Sequence, residues 1–206
     1  MSKLFIHTAM SVAKTYMKGQ RKGSDRKAWK HPHDVVKEMK SAPWWPYTKG
    51  FPYDENILVA SAWLLDVIED GTHDDGSPAT YQDIFDALYE VDTIDNGAKL
   101  VRTMRVVEAL TCTDDTTEGK KAYLEALRYG PQEAIVVKAL DRIVNLHEGI
   151  RTFSIDWHAR YSRKTWDGFV PILATLPPPW GPWLMDRLIC EMLFGEPFGR
   201  YEVSRD

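Results

Sequence analysis

Pro131-Gln132-Glu133-Ala134-Ile135-Val136-Val137-Lys138-Ala139-Leu140-Asp141-Arg142-Ile143-Val144-Asn145-Leu146 decides the fold class. Ala134, Ile135, Val137, Leu140, Ile143, Val144 and Leu146 recur at helical rather than alternating spacing, and a proline at the start is tolerated in a first helical turn. The stretch reads as a helix buried in a core. Asp141 and Asn145 sit one turn apart inside it, flanked by Leu140 and Ile143. A carboxylate so placed needs a cation, a metal or dense hydrogen bonding.

Working outward, the same spacing predicts helices over Leu4 to Met17, His31 to Met39, Asp54 to Glu69, Tyr81 to Glu90, Gly97 to Leu110, Glu118 to Tyr129, Arg160 to Thr175 and Trp183 to Phe194. Asp54 is the expected cap of the third. Prolines and glycines mark loops at Ser41 to Tyr53, Gly71 to Ala79 and Leu176 to Pro182. There is no alternating strand pattern and no repeat, so the expectation is an all-α bundle of about eight helices. Residues 1–150 are read as the core and residues 151–206 as C-terminal helices packing on the same domain.

The chain has 206 residues and a formal net charge of −4, within the range of one globular domain. The longest strongly apolar run, Ile57 to Leu65, is too short to span a bilayer. The N-terminus lacks a secretory signal pattern. With only Cys112 and Cys190, no disulfide framework is expected and a cytoplasmic location is. The charge balance argues against non-specific nucleic-acid coating. No glycine-rich phosphate loop, G-x-S-x-G, H-E-x-x-H or C-x-x-C occurs. Nothing in the sequence speaks against a homo-oligomer.

Three further pieces carry chemistry. Asp66, Glu69 and Asp70 share one face at the C-terminal end of an apolar helix, where acids oppose the helix dipole unless a cation or proton compensates. A solvated acidic helix end is the plain alternative. His31, before Pro32, adds an imidazole; with Asp66 and Asp141 it makes a donor mix suited to Mn²⁺, Fe²⁺ or Zn²⁺. For Asp141 the plain alternative is a structural ion pair with Arg142 or another arginine. Gln20-Arg21-Lys22 lies in a basic loop suited to a phosphorylated ligand, or is simply a solvated cationic loop.

In this order the pieces resemble the HD-domain hydrolases of the RelA/SpoT type in their stand-alone form, the small alarmone hydrolases. The resemblance rests on Gly19-Gln20-Arg21-Lys22, His31-Pro32, Leu64-Leu65-Asp66-Val67-Ile68-Glu69-Asp70, Lys138-Ala139-Leu140-Asp141-Arg142-Ile143-Val144-Asn145-Leu146 and a tail from Ser162 to Leu173. It implies a metal-dependent phosphohydrolase acting on guanosine tetra- or pentaphosphate, with Mn²⁺ as the usual metal. His31, Asp66 and Asp141 would then be metal ligands, Glu69 and Asp70 would act on the attacking water, and Arg21, Lys22 and Asn145 would contact the nucleotide. At the position of the family's second metal-binding histidine this chain has Leu65. Ser24-Asp25-Arg26-Lys27-Ala28-Trp29 replaces the family's glycine-proline-tyrosine stretch, and Trp44-Trp45-Pro46-Tyr47 reads as an insertion. The alternative is a catalytically impaired relative that binds a nucleotide or a protein partner without turnover.

Overall fold

Where apolar side chains recur every three or four residues, the chain is helical. The computed structural model describes residues 2–43, 45, 53–91 and 97–194. Its helices are α1 (Ser2–Tyr16), α2 (Lys30–Lys40), α3 (Glu55–Leu64), α4 (Val67–Asp70), α5 (Tyr81–Tyr89), α6 (Ala98–Leu110), α7 (Thr117–Tyr129), α8 (Gln132–Thr152), α9 (Ile155–Lys164), α10 (Val170–Leu173) and α11 (Trp180–Phe194). Among the described residues no sheet forms; the extended pairings are the isolated bridges Gln20 to Lys27 and Thr72 to Pro78. The fold is all-α, and α4 and α10 are single turns of four residues. No helix among the described residues is long and apolar enough to cross a membrane.

The helix starts have local causes. Asp54 accepts from the Asn56 amide at 2.8 Å, Thr80 and Asp83 cap each other's backbone, and Ser154 accepts from the Trp157 amide. Pro32 sits in the first turn of α2 and Pro182 in the first turn of α11, where a missing N–H leaves no hydrogen bond unmade.

Three expectations change. The helix read from Asp54 to Glu69 is broken: α3 stops at Leu64, Asp66 takes φ −106° and ψ 0°, and α4 restarts at Val67. No proline or glycine announces that break. The helix read from Arg160 to Thr175 starts earlier, at Ile155 behind its Ser154 cap. It runs into a π-helical turn over Thr165–Phe169 and ends in α10, whose first turn holds Pro171. The last helix starts three residues early, at Trp180. Trp44, Pro46 and Tyr47 lie outside the described residues, as do residues 195–206 of the tail; Trp45 packs edge-on to Trp180 at 6.5 Å between ring centroids.

Helix α8 is the axis of the bundle. Helices α2, α3, α6, α7, α9, α10 and α11 pack against it, and α1 packs on α3 and α5. Ile135, Val136, Ala139, Leu140, Ile143 and Leu146 are buried along it, opposite a fully buried run from Ile57 to Leu65. Each such side chain contributes about 1.5–3 kcal/mol relative to exposure. At the C-terminal end of α8 the bare Gly149 admits the Trp157 ring: an added Cβ would lie 2.1 Å from Trp157 Cζ3. Gly149→Ala is therefore expected to cost about 1–3 kcal/mol and to disturb the Trp157 environment, read by thermal unfolding and near-UV circular dichroism. An unchanged near-UV spectrum and midpoint would contradict this packing.

Candidate functional site

One face of α8 carries Lys138, Asp141, Asn145 and Glu148 at spacings of three, four and three, the positions that line up along a helix. The first turn of α2 brings His31 against them, the α3–α4 break brings Asp66, and the loop before α2 brings Arg21 and Arg26.

Asp141 is the centre. Its Oδ1 accepts from Asn145 Nδ2 at 2.7 Å and lies 2.8 Å from His31 Nε2, and its Oδ2 lies 2.9 Å from Lys138 Nζ. Asp66 Oδ2 stands 3.9 Å from His31 Nε2, and Glu148 Oε2 stands 3.6 Å from His31 Nδ1. Arg21 bonds Asn145 Oδ1 and, through Nε at 2.8 Å, Glu148 Oε2; Arg26 joins Glu148 to Asp34. Arg142 faces away, donating to Thr165 Oγ1 at 2.9 Å over the Phe169 ring, so the ion-pair partners of Asp141 are Lys138 and His31 rather than an arginine.

The electrostatics follow from burial and pairing. Burial alone would push the His31 imidazole down; the bond to Asp141 and the charges of Glu148 and Asp66 outweigh it and raise its pKa to about 9. Burial raises Asp66 to about 6, with His31 opposing and Asp141 reinforcing. Burial also works against the charge on Asp141, yet Lys138 and His31 hold its carboxyl well below the usual carboxylate range. Lys138 is held above its ordinary value, the Asp141 charge overcoming its desolvation. Glu148 is lowered despite partial burial, by His31, Arg21 and Arg26. At neutral pH four cations (His31, Lys138, Arg21, Arg26) face four carboxylates (Asp66, Asp141, Glu148, Asp34). The cluster balances its own charge.

The other expected site residues divide. Asp70 opens on a cleft of about 1630 Å³ that Arg21, Lys22 and Asn145 also line, bounded by the loop before α2 and by α8, α9 and α11. Glu69 points elsewhere: its Oε1 accepts the Cys112 amide at 2.6 Å, and desolvation there raises its carboxyl. Arg21 and Asn145 form the junction between cluster and cleft. Lys22, Lys37 and Arg151 line the cleft with no carboxylate at ion-pair distance among the described residues, although the Lys22 charge contributes to lowering the Asp115 carboxyl. Phe153 and Trp157 line the same cleft, with ring centroids 4.6 Å apart, and Tyr161 stacks on Trp157 at 4.8 Å. Sequence reasoning missed Lys138, Glu148, Arg26, Arg151 and Trp157. The spacing along α8 signals Lys138, Glu148 and Arg151; Arg26 and Trp157 join them only through packing.

By residue type, His31, Asp66 and Asp141 suit a divalent cation. By geometry they pair with one another and with Lys138, and Leu65, 2% exposed, adds an apolar side chain beside Asp66. Among the described residues no group of three or more His, Cys, Asp and Glu stands in a metal-holding arrangement. In comparisons with known proteins, no family model matches the chain and no curated protein matches it.

Two predictions follow from the cluster. A folded pKa above the unfolded value stabilises below the unfolded value and loses that stability as pH rises through the folded one. His31 should therefore contribute fully below pH 6.5 and lose roughly 3 kcal/mol as pH rises through about 9. Urea unfolding at pH 6.5 and 9.5 reads this loss, and His31→Asn should flatten it; an equal slope in both proteins would refute the assignment. Asp141→Asn removes the carboxylate nearest to both Lys138 and His31 and should cost about 3–5 kcal/mol in the same urea unfolding.

Proposed function

We propose that this chain binds a phosphorylated nucleotide in the cleft beside the Asp141 cluster, and that guanosine tetra- or pentaphosphate is the class to test first, because of the resemblance to RelA/SpoT-type hydrolases. The observation that carries this reading is the pairing of cations with no carboxylate at contact distance among the described residues, Lys22, Lys37 and Arg151, with the aromatic pair Phe153 and Trp157. Cations without a close carboxylate favour phosphate oxygens, and an aromatic cluster at the edge of the cleft favours a base. Arg21 is the link: a phosphate that draws it toward the cleft also draws on Asn145 and, through it, Asp141.

Turnover is the second reading, supported by Asp66 in the cluster and Asp70 on the cleft, at the two ends of α4. Mn²⁺ held by His31, Asp66 and Asp141 would supply a water of lowered pKa and polarise a phosphoryl oxygen. Binding without turnover is preferred because Leu65 stands where the resembled family has its second metal-binding histidine.

Calorimetry with guanosine tetraphosphate tests the binding. Arg151→Ala and Lys22→Ala, which disturb none of the ion pairs described above, should each weaken it by about tenfold. No measurable binding by the parent protein would end the proposal. Pyrophosphate release on adding Mn²⁺, abolished in Asp141→Ala, would instead favour the hydrolase; binding with no release would favour the binding protein. Leu65→His should raise Mn²⁺ affinity in either case.

A further inference from the structure

The net charge of −4 conceals a separation of sign along the chain. Residues 1–43 hold ten Lys and Arg against three acids, whereas residues 50–98 hold twelve acids and no Lys or Arg. The basic part forms α1 and α2, which both pack on α3. Between them runs an open groove of about 740 Å³. Ile6, Met10 and Trp63 give it an apolar floor and His33, Lys37 and Lys40 a cationic rim; among the described residues no carboxylate lines it. An apolar floor inside a cationic rim suits an acidic helix with one apolar face.

The acidic part supplies such a helix. In α5, Ile84 and Leu88 are buried while Tyr81, Phe85 and Tyr89 face solvent at four-residue steps. Tyr89 is 65% exposed, and the Phe85 and Tyr89 rings stack at 5.8 Å between centroids. Asp86 and Glu90, each one position further along, are exposed beside that row. A row of surface aromatics edged by acids marks a contact face. Helix α1 joins the two features, because α5 packs on it and it forms one wall of the groove. The solvent side of α1 carries Leu4, 55% exposed, with His7 and Ser11 on the turns that follow. A two-fold axis over that stripe sets the α5 of each copy against the groove of the other and closes with two identical contacts.

We propose that this chain forms a two-fold dimer in which the aromatic face of α5 lies in the α1–α2 groove of the other copy, with Asp86 and Glu90 against the rim at Lys40. The occupant is a second copy because the chain itself carries both complementary surfaces, on helices that share α1. Pairing groove with groove would set cation against cation, and pairing α5 with α5 would set acid against acid. Lys37 and Ser41 line both the groove and the cleft described above, so the α5 of the second copy stands at the edge of that cleft. The dimer does not depend on the nucleotide reading of the cleft.

The test measures mass by analytical ultracentrifugation over about 1 to 100 μM protein, a range in which the parent is expected to pass from monomer to dimer. Three variants change exposed side chains only: Tyr89→Ser, the double variant Asp86→Lys/Glu90→Lys, and Lys40→Glu. Each substitution counts twice across the two-fold, so each variant should weaken the dimer by about tenfold or more. Mixing the double variant with Lys40→Glu should bring association back to within about threefold of the parent, since every reversed charge then meets its opposite. Damage to the fold of either protein would not be repaired by mixing. A parent that stays monomeric throughout, a dimer that none of the variants weakens, or a mixture no tighter than its components would each overturn the proposal. A variant that loses the parent's helical content by circular dichroism is set aside, and the mass of the parent with the remaining variants decides.

Discussion

Asp141 is a buried charge on the helix that seven of the other helices pack against. Leaving such a charge uncompensated costs more than any single hydrophobic contact returns, so neighbouring groups must arrange themselves around it. Lys138 answers from one turn back and Asn145 from one turn on, both on α8 itself. The third answer, His31, comes from the first turn of α2 and so ties two helices together. Through Asn145 and Glu148 the requirement reaches Arg21 and Arg26, and so sets the loop that carries the basic residues.

That dependence gives the cleft its character. Arg21 and Arg26 are spent inside the network, whereas Lys22, Lys37 and Arg151 are not, so the cations left for a ligand are those the cluster does not use. Leu65 contributes to the same outcome from the other side. It fills its place with apolar packing, and the positive charge beside Asp66 is the His31 imidazolium. Asp66 remains the most weakly compensated acid of the group, which is why burial lifts it to about 6 while Asp141 stays ionised. Two aspartates within reach of one histidine thus hold different protonation behaviour, because Asp141 bonds both Lys138 and His31 directly whereas Asp66 feels them only at longer range.

Several of these features are legible in the residue order. The polar positions of α8 stand out against an apolar helix, and Asp141 beside Asn145 follows from spacing alone; Lys138 and Glu148 extend the same row and were there to be read. Asp54, Pro32 and Pro131 mark helix starts through local chemistry. The break at Leu65–Asp66 is different. The residues from Glu55 to Asp70 have no breaker and a helical pattern throughout, and the chain turns there although its own preferences do not require it. The π-helical turn at Thr165–Phe169 likewise has Gly168 and Pro171 nearby as its only local hints.

By itself the sequence determined the all-α class, most helix positions and the presence of a buried acid in need of compensation, because periodicity, caps and burial of charge act over one or two turns. Only the tertiary structure decided which groups compensate that acid, that Glu69 turns to the Cys112 amide while Asp70 opens on the cleft, and that Arg151, Trp157 and Glu191 from three helices share one cavity. Those outcomes depend on how separate helices seat against one another: α2 on α8, α4 beside the end of α6, and α9 and α11 on α8. Spacing along a single helix carries no information about that seating.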